Sequence, residues 1–410
     1  MKNSTLTKMA LLAGGLLLAV MLMKNKGGSS EVALSNDAPV VPGLSAELNS
    51  VSGIKLTGAS NTPIITLKRT DKGWVASSID GYGADVSKIR DYLIKLSEAK
   101  IREAKTANPA SYGKLGVEDL TAADAKGIML ELEGTKTPVK LILGVIAGSG
   151  GQGVYVRKPG EKQSYLASGQ IRPEASVNSW IQAEITNIPV NRVQEVSITP
   201  PTGDKLVVRK TKAEDADWAV LNVPKGKELS SPSIGNQLAG TLDTLRLESV
   251  LPAAQAEPVL AQTYLARFVT FEGLVVNVTA WEKDGKGYTR FNASLDTALS
   301  EAYLMTEQSK AEAAANAEAA AAAPPASGVP AVLTPAPAAK FDAVKFRTEK
   351  LAELTKQVDE INQRTSGWSY VLVQYKFAGI KKTMADMLKV EGAGAAMGTE
   401  ENPITFPIHE

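Results

Sequence analysis

Val193 to Leu221 reads VQEVSITPPTGDKLVVRKTKAEDADWAVL. Three runs of β-type alternation, Val193 to Thr199, Lys205 to Lys210 and Trp218 to Leu221, are separated by Pro, Gly and Asp clusters, the pattern of a strand meander. The same order occurs earlier in the chain, as Val51 to Leu56 (VSGIKL), Pro63 to Lys68 (PIITLK) and Gly73 to Ser77 (GWVAS), with Trp74 in the place of Trp218. A helical pattern follows each meander. Asp85 can cap a helix whose apolar positions Val86, Ile89, Leu93 and Leu96 recur at spacings of three and four. Ser231-Pro232 can open a second one with Ile234, Leu238, Leu242 and Leu245 as its buried stripe.

Sheet returns after each helix. In the first copy the strands are Gly127 to Leu132, Val139 to Leu143, Val154 to Lys158 and Ser164 to Ala167. In the second they are Leu265 to Phe271, Leu274 to Trp281 and Tyr288 to Asn292, with Asp284-Gly285 as a tight turn. Two copies of one plan imply duplication, at a period far longer than the about 20–50 residues of a solenoid repeat. The expected class is α+β: two tandem related domains, each a mostly antiparallel sheet covered by one helix, with an N-terminal transmembrane helix and an inserted helical hairpin.

The expected boundaries are a membrane anchor over 1–28, a tether over 29–44, a first repeat over 45–170, a connector over 171–192, a second repeat over 193–391 and a flexible tail over 392–410. The connector reads as a short helical segment anchored by Trp180 and Ile181 and ended by Pro189. An insertion at 298–365 interrupts the second repeat. Leu299 to Ala323 is rich in Ala and Glu, the stretch Pro324 to Ala339 is too proline-rich to pack, and helix resumes near Phe341. Leu351, Leu354, Val358 and Ile361 then form an apolar stripe, the candidate face for a partner. Trp368 to Gln374 closes the sheet, and Lys381 to Lys389 adds a last helical turn.

At the N-terminus, Met9 to Met23 (MALLAGGLLLAVMLM) is an unbroken apolar run carrying Met9, Leu12, Leu16, Val20 and Met23. Lysines 2, 8, 24 and 26 flank it. A cleavable signal needs small residues at a nearby site, whereas this core runs straight into KNKGG, so the segment reads as an uncleaved anchor. The charge balance of Lys2, Lys8 and the amino terminus against Lys24 and Lys26 puts the bulk of the chain on the extracytoplasmic, periplasmic side.

Composition removes several chemistries. The chain of 410 residues has no Cys and one His, His409 next to the end, so thiolate metal sites, Cys nucleophiles and His-based triads are not expected. A net charge of +1 gives no global field for nucleic acid. Gly148, Gly150 and Gly153 satisfy a G-x-G-x-x-G count, but the run opens a strand rather than a helix and reads as a hairpin loop. Glu214, Asp215 and Asp217, like Glu118, Asp119 and Asp124, read as solvated loop tips, and Lys100 to Lys105 as a solvated helix face. The tryptophans at 74, 180, 218, 281 and 368 read as core anchors. No catalytic residue, metal ligand or cofactor site is expected.

Val41-Pro42-Gly43-Leu44, Gly73-Trp74-Val75, the block TANPASYGKLGVED from Thr106 to Asp119, Tyr155-Val156-Arg157 and Gly367-Trp368 together resemble the bacterial domain-of-unknown-function family 4340, over Val41 to about Lys389. The resemblance implies a membrane-anchored extracytoplasmic protein associated with ABC-transporter permease and ATPase components, and it carries no catalytic residues. The expected function is therefore a non-enzymatic accessory subunit. A carboxylate-dependent hydrolase or binding module acting on envelope glycan or peptide is the alternative, since any pair of the 44 acidic residues could meet in space.

Overall fold

The computed structural model describes residues 37–148, 153–321 and 341–389. These residues divide into two compact units, the first drawn from Met1–Arg69 and Val86–Ala175, the second from Thr70–Asp85 and Ser176–Glu410. Both are α+β, each built on an antiparallel sheet.

In the first unit the strands are β1 (Gly53–Thr57), β2 (Pro63–Thr70), β5 (Ile101–Ala104), β6 (Ile128–Glu133), β7 (Val139–Ala147), β8 (Gly153–Arg157) and β9 (Ser164–Ser168). β3 (Gly73–Ala76) and β4 (Tyr82–Gly83) form the hairpin that groups with the second unit. The spatial order is β2-β1-β6-β7-β8-β9-β5, each pair antiparallel. Helix α1 (Val86–Glu98) buries Ile89, Tyr92, Leu93 and Leu96, as its spacing predicts, while Val86 stays exposed at its first position. The Tyr92 hydroxyl, deep under this helix, donates to the Ile171 carbonyl (3.1 Å), and burial drives its pKa upward.

Lys100 to Lys105 is not a helix face. Helix α1 ends at Glu98, and Ile101 to Ala104 is the edge strand β5, with Ile101 buried and Arg102 and Glu103 facing solvent. Charges on an edge discourage further strand pairing, which is why this strand resembles an exposed helix surface in sequence.

The second unit contains β10 (Glu184–Thr186), β11 (Val193–Thr199), β12 (Leu206–Arg209), β13 (Ala219–Val220), β14 (Leu245–Pro252), β15 (Tyr264–Thr270), β16 (Leu274–Lys283), β17 (Lys286–Leu295) and β18 (Trp368–Leu372). Their order is β10-β14-β18-β17-β16-β15-β11-β12-β13, again antiparallel. Removing β10 and β13 leaves β12-β11-β15-β16-β17-β18-β14, the same path in the same chain order as β2-β1-β6-β7-β8-β9-β5. Even the β10 pairing has a counterpart: ahead of β1, Pro39 bridges to Lys100 beside β5. The β16–β17 hairpin turns on Asp284 and Gly285, both at positive φ (52° and 72°), the geometry the Asp-Gly pair favours.

Two helical expectations fail here. The connector is extended, with 3-10 turns at Val177–Ser179 and Val190–Arg192 on either side of strand β10. The helix over Ile234 to Leu245 is also absent. Asn236–Ala239 makes one α-turn, Gly240–Leu242 one 3-10 turn, and Thr244 at φ 46° swings the chain into β14, where Leu245 is the first residue. Leu238, Leu242 and Leu245 are buried nonetheless. Their burial is what the apolar spacing recorded. Gly235 explains part of the shortening: it lies so close to the Trp218 carbonyl that a side chain there would collide.

Helix α2 (Thr297–Ala321) and helix α3 (Ala343–Thr365) occupy the insertion between β17 and β18. Asp296 caps the first through the Leu299 N–H (3.2 Å), and Asp342 caps the second through the Lys345 N–H (2.9 Å). The first turns of the two helices face each other across a groove lined by Ser300, Leu304, Val344 and Leu351. The later turns of α3 dock on the sheet instead: Asn362 exchanges hydrogen bonds with the Ala293 backbone (2.8 and 2.9 Å), and Arg364 reaches the Ile185 carbonyl (3.0 Å). Helix α4 (Gln374–Ile380) follows β18, placing Phe377 against Gly287, and a 3-10 turn at Ala385–Met387 ends the described chain.

Thr70 to Asp85, expected in the first repeat, belongs by contact to the second unit. Ala84 bridges to Ile181, the Tyr82 hydroxyl donates to the Gln182 carbonyl (2.9 Å), and the Tyr82 ring stands edge-on to Trp368 and Tyr370 at centroid distances of 5.0 and 6.3 Å.

Candidate functional site

Two arginines stand in equivalent places of the two sheets, Arg157 buried and Arg290 half-buried. Arg157 ends β8, opposite Ile142 of β7 and Ser164 of β9. Its guanidinium donates to the Val117 carbonyl (2.7 Å), the Glu161 carbonyl (3.0 Å) and the Asp119 carboxylate (2.5 Å), and it stacks on the Tyr112 ring at 4.6 Å. Tyr112 in turn donates to the Lys162 carbonyl (2.5 Å), and Ser164 Oγ donates to the Thr106 carbonyl (2.7 Å). The block from Thr106 to Asp119 is therefore the long loop that crosses from β5 to β6, held from beneath by Arg157. Asp119 pairs with Arg157 from the solvated side of the loop, its own side chain staying 71 % exposed, as its reading as a loop tip expects.

In the second unit Arg290 lies on β17, opposite Thr279 of β16. Its Nε donates to Ser369 Oγ on β18 (3.0 Å), and its Nη2 reaches the Ala253 carbonyl (2.5 Å), the Ala256 carbonyl (3.0 Å) and Glu257 (3.1 Å), all in the segment from β14 to β15. The Trp281 ring lies 5.4 Å below the guanidinium. The two sites share an arginine on the strand, a serine opposite it on the neighbouring strand and a crossing loop held by the arginine; the ring against the guanidinium comes from the loop in the first unit (Tyr112) and from the sheet in the second (Trp281). A signal for this was present in sequence, as Tyr155-Val156-Arg157 and Tyr288-Thr289-Arg290.

The chemistry of these clamps is that of holding. A guanidinium stays charged throughout the accessible pH range, so it offers fixed donors and neither accepts nor delivers a proton. Arg172 adds a third anchor, donating to the carbonyls of Gly144, Leu143 (3.2 Å) and Lys126 (2.8 Å). Lys376 plays a comparable part in the second unit, its ammonium capping the carbonyls of Gly240 (2.9 Å), Thr241 (3.1 Å) and Asp243 (2.9 Å); burial pulls its pKa down.

The other residues singled out in sequence fall into place around these clamps. Trp74, Trp180, Trp218 and Trp281 are buried, and Trp368 half-buried; Trp218 donates to the Val193 carbonyl (3.1 Å) under the Lys210 ammonium. Asp215 caps the Lys212 N–H (2.8 Å), and Asp217 accepts from Asn236 (2.6 Å), both in the segment joining β12 to β13. Gly148 and Gly153 flank the junction of the antiparallel strands β7 and β8, while Gly150 lies outside the described residues. Of the candidate partner face, Leu354 and Ile361 are buried within the second unit, Val358 is half-buried and Leu351 remains exposed. Met9, Leu12, Leu16, Val20 and Met23 also lie outside the described residues, among which no helix is long and apolar enough to cross a membrane. Among the described residues no group of three or more His, Asp or Glu side chains is arranged to hold a metal ion.

The molecule is thus defined as an α+β protein of two like-connected antiparallel sheets. Residues 74–263 match the family model described as Domain of unknown function (DUF4340). The matched stretch holds Trp74, the Thr106–Asp119 block and the Arg157 clamp, and supports the resemblance drawn from them; it ends before Arg290. No curated protein and no solved structure matches the chain.

Proposed function

We propose that this chain is a non-enzymatic accessory protein of an ABC-type transport system. A single N-terminal span at Met9 to Met23 holds it in the bacterial inner membrane, both units lie on the periplasmic side, and the protein binds or scaffolds a permease, an ATPase component or a related envelope membrane protein. The observation that carries this reading is the distribution of apolar surface on the insertion. Val344 (77 % exposed) and Leu351 (44 % exposed) line a groove of about 360 Å³ between the first turns of α2 and α3. Met305 on α2 is exposed as well. Apolar side chains on projecting helices are the usual anchors of helix-in-groove recognition, and Arg157 and Arg290 serve as loop anchors rather than as reactive groups.

The test is crosslinking in intact cells followed by detergent extraction, affinity purification and mass spectrometry, with a version lacking Met1 to Lys26 and a Leu351→Asp variant as controls. The expected result is enrichment of a transporter permease or ATPase with the full chain and its loss in both controls. Recovery of envelope glycan or a soluble protein in place of a transporter would overturn the reading.

A further inference from the structure

The first unit contains a cavity that the clamps do not use. It has a volume of about 260 Å³ and opens between the segment Val40 to Glu47, whose second half is the helical turn Leu44–Glu47, and the turn joining β6 to β7. Val40, Val41, Leu44 and Leu141 form a buried aliphatic floor, with Pro42, Pro138 and Val139 above it. Backbone geometry fixes the walls. Gly43 takes φ 81° to turn the chain into Leu44, and Gly134 (φ 89°) is pressed against the Ser50 carbonyl so closely that any side chain would collide. Thr135 Oγ1 donates to the Thr137 carbonyl (2.9 Å), and the Lys136 N–H donates to Glu47 Oε2 (2.8 Å), tying one wall to the other. Pre-formed apolar concavities with a few placed polar groups are the common form of small-molecule sites.

The polar groups at the rim decide the ligand's charge. Lys140 and Lys158 both line the opening, against one carboxylate, Glu47, which already accepts the Lys136 N–H. Lys140 pairs with Glu131 (2.7 Å) and Lys158 with Glu161 (3.4 Å), yet the two lysine side chains are 58 % and 42 % exposed. Glu131 is largely buried and keeps its hold on Lys140, whose ammonium still has donors facing the opening, while the Lys158–Glu161 pair is exposed on both sides and weak. The volume equals that of about nine liquid waters at about 30 Å³ each, which suits a short hydrocarbon body and excludes a bulky one. We propose that this cavity binds a medium-chain aliphatic carboxylate, its chain on the floor of Val40, Val41, Leu44 and Leu141 and its head between Lys140 and Lys158.

The experiment is photo-crosslinking of the full chain in lipid nanodiscs with a diazirine-bearing octanoate, the labelled residues being mapped by mass spectrometry. Saturable labelling should fall on Val40 to Leu44 and Val139 to Leu141. Unlabelled competitors should gain about fourfold per methylene from hexanoate to octanoate, the ratio expected for one buried CH₂, and octan-1-ol should compete less well than octanoate. Val139→Trp, which fills the cavity from a half-buried position, should abolish the labelling. The surface double variant Lys140→Glu/Lys158→Glu should lose octanoate and accept octylamine in its place. Labelling that persists in Val139→Trp, competition that ignores chain length, or octanol matching octanoate would each overturn the proposal.

Discussion

Gly144 on β7 and Trp281 on β16 occupy the same position in their sheets, each two residues beyond the partner of a clamp arginine. In the first unit the crossing loop forms a helical turn, Tyr112–Leu115, that rests on Gly144 so closely that a Cβ would strike the Leu115 carbonyl. In the second unit the crossing segment is shorter, and the Trp281 ring fills the space beneath Arg290. One sheet brings backbone down to the core; the other sends a side chain up. The strand path and the arginine anchor are common to both units, while the layer above them differs. The insertion follows the same logic: α2 and α3 enter between β17 and β18, where the first unit has only the short link from Arg157 to Ser164. A hairpin turn can absorb that length because the strands on either side remain paired neighbours.

The comparison can be broken most severely by exchanging its two defining residues. Gly144→Trp should cost more than about 4 kcal/mol, since neither the Leu115 carbonyl nor Val117 can withdraw without opening the loop. Hydrogen exchange should show β6 to β9 losing protection while β15 to β17 keep theirs. Trp281→Ala, which leaves a cavity under the other clamp, should cost about 3–5 kcal/mol, read as lost protection in β16 and β17 alone. Next come the arginines. Arg157→Met leaves the Val117 and Glu161 carbonyls without their donor and should cost about 2–3 kcal/mol. Arg290→Met, at a more open site, should cost about 1–3 kcal/mol. Equal losses at both positions, measured by urea unfolding with exchange mapping, would mean that the clamps differ less than their burial implies.

The smallest effect concerns pH. On the first sheet Glu131 lies between Lys140 (2.7 Å) and Lys55 (3.5 Å), and the hydrogen bond and charge of Lys140 hold its pKa below the usual carboxylate range. The corresponding residues of the second sheet are Arg267 between Asn277 and Ser197. A lowered pKa means that the stabilisation is complete above the unfolded-state value of about 4.3 and is lost as pH falls through the lower folded-state value. Glu131→Gln should therefore reduce stability by less than about 1 kcal/mol at neutral pH. It should leave acid unfolding of the first unit less pH-dependent below pH of about 4, with no change in the second.

The meanders were legible because their side chains alternate: Ile54 and Leu56, like Val196 and Ile198, point to one buried face. Their helices were legible only where packing length matched spacing. Ile89, Leu93 and Leu96 lie on a real helix, whereas Leu238, Leu242 and Leu245 are buried from two turns and a strand. Strands β5 and β14, which hold equivalent places, both escaped notice. Arg102 with Glu103, and Arg246 with Glu248, give them the polar texture of an exposed helix, and their pairing with β9 and β18 is set by tertiary contact rather than local pattern. The clamps were illegible for a related reason: the carbonyls that Arg157 and Arg290 hold carry no side-chain signature, and only the repeated Tyr-x-Arg hinted at them. The apolar stripe of α3 was real, but the second unit's own core takes Leu354 and Ile361.

The β3–β4 hairpin has a consequence for the order in which the chain acquires its structure. Residues on both sides of Thr70 to Asp85 fold into the first unit, yet the Tyr82 ring is completed only by Trp368 and Tyr370. During synthesis the ribosome releases this hairpin, and then its partners at Ile181 and Gln182, long before Trp368 and Tyr370 exist, so the Tyr82 ring waits for β18 to emerge. Contacts of such sequence separation form late and slowly. Nascent chains stalled before Trp368 should accordingly leave Tyr82 more open to protease than chains extended through Leu372.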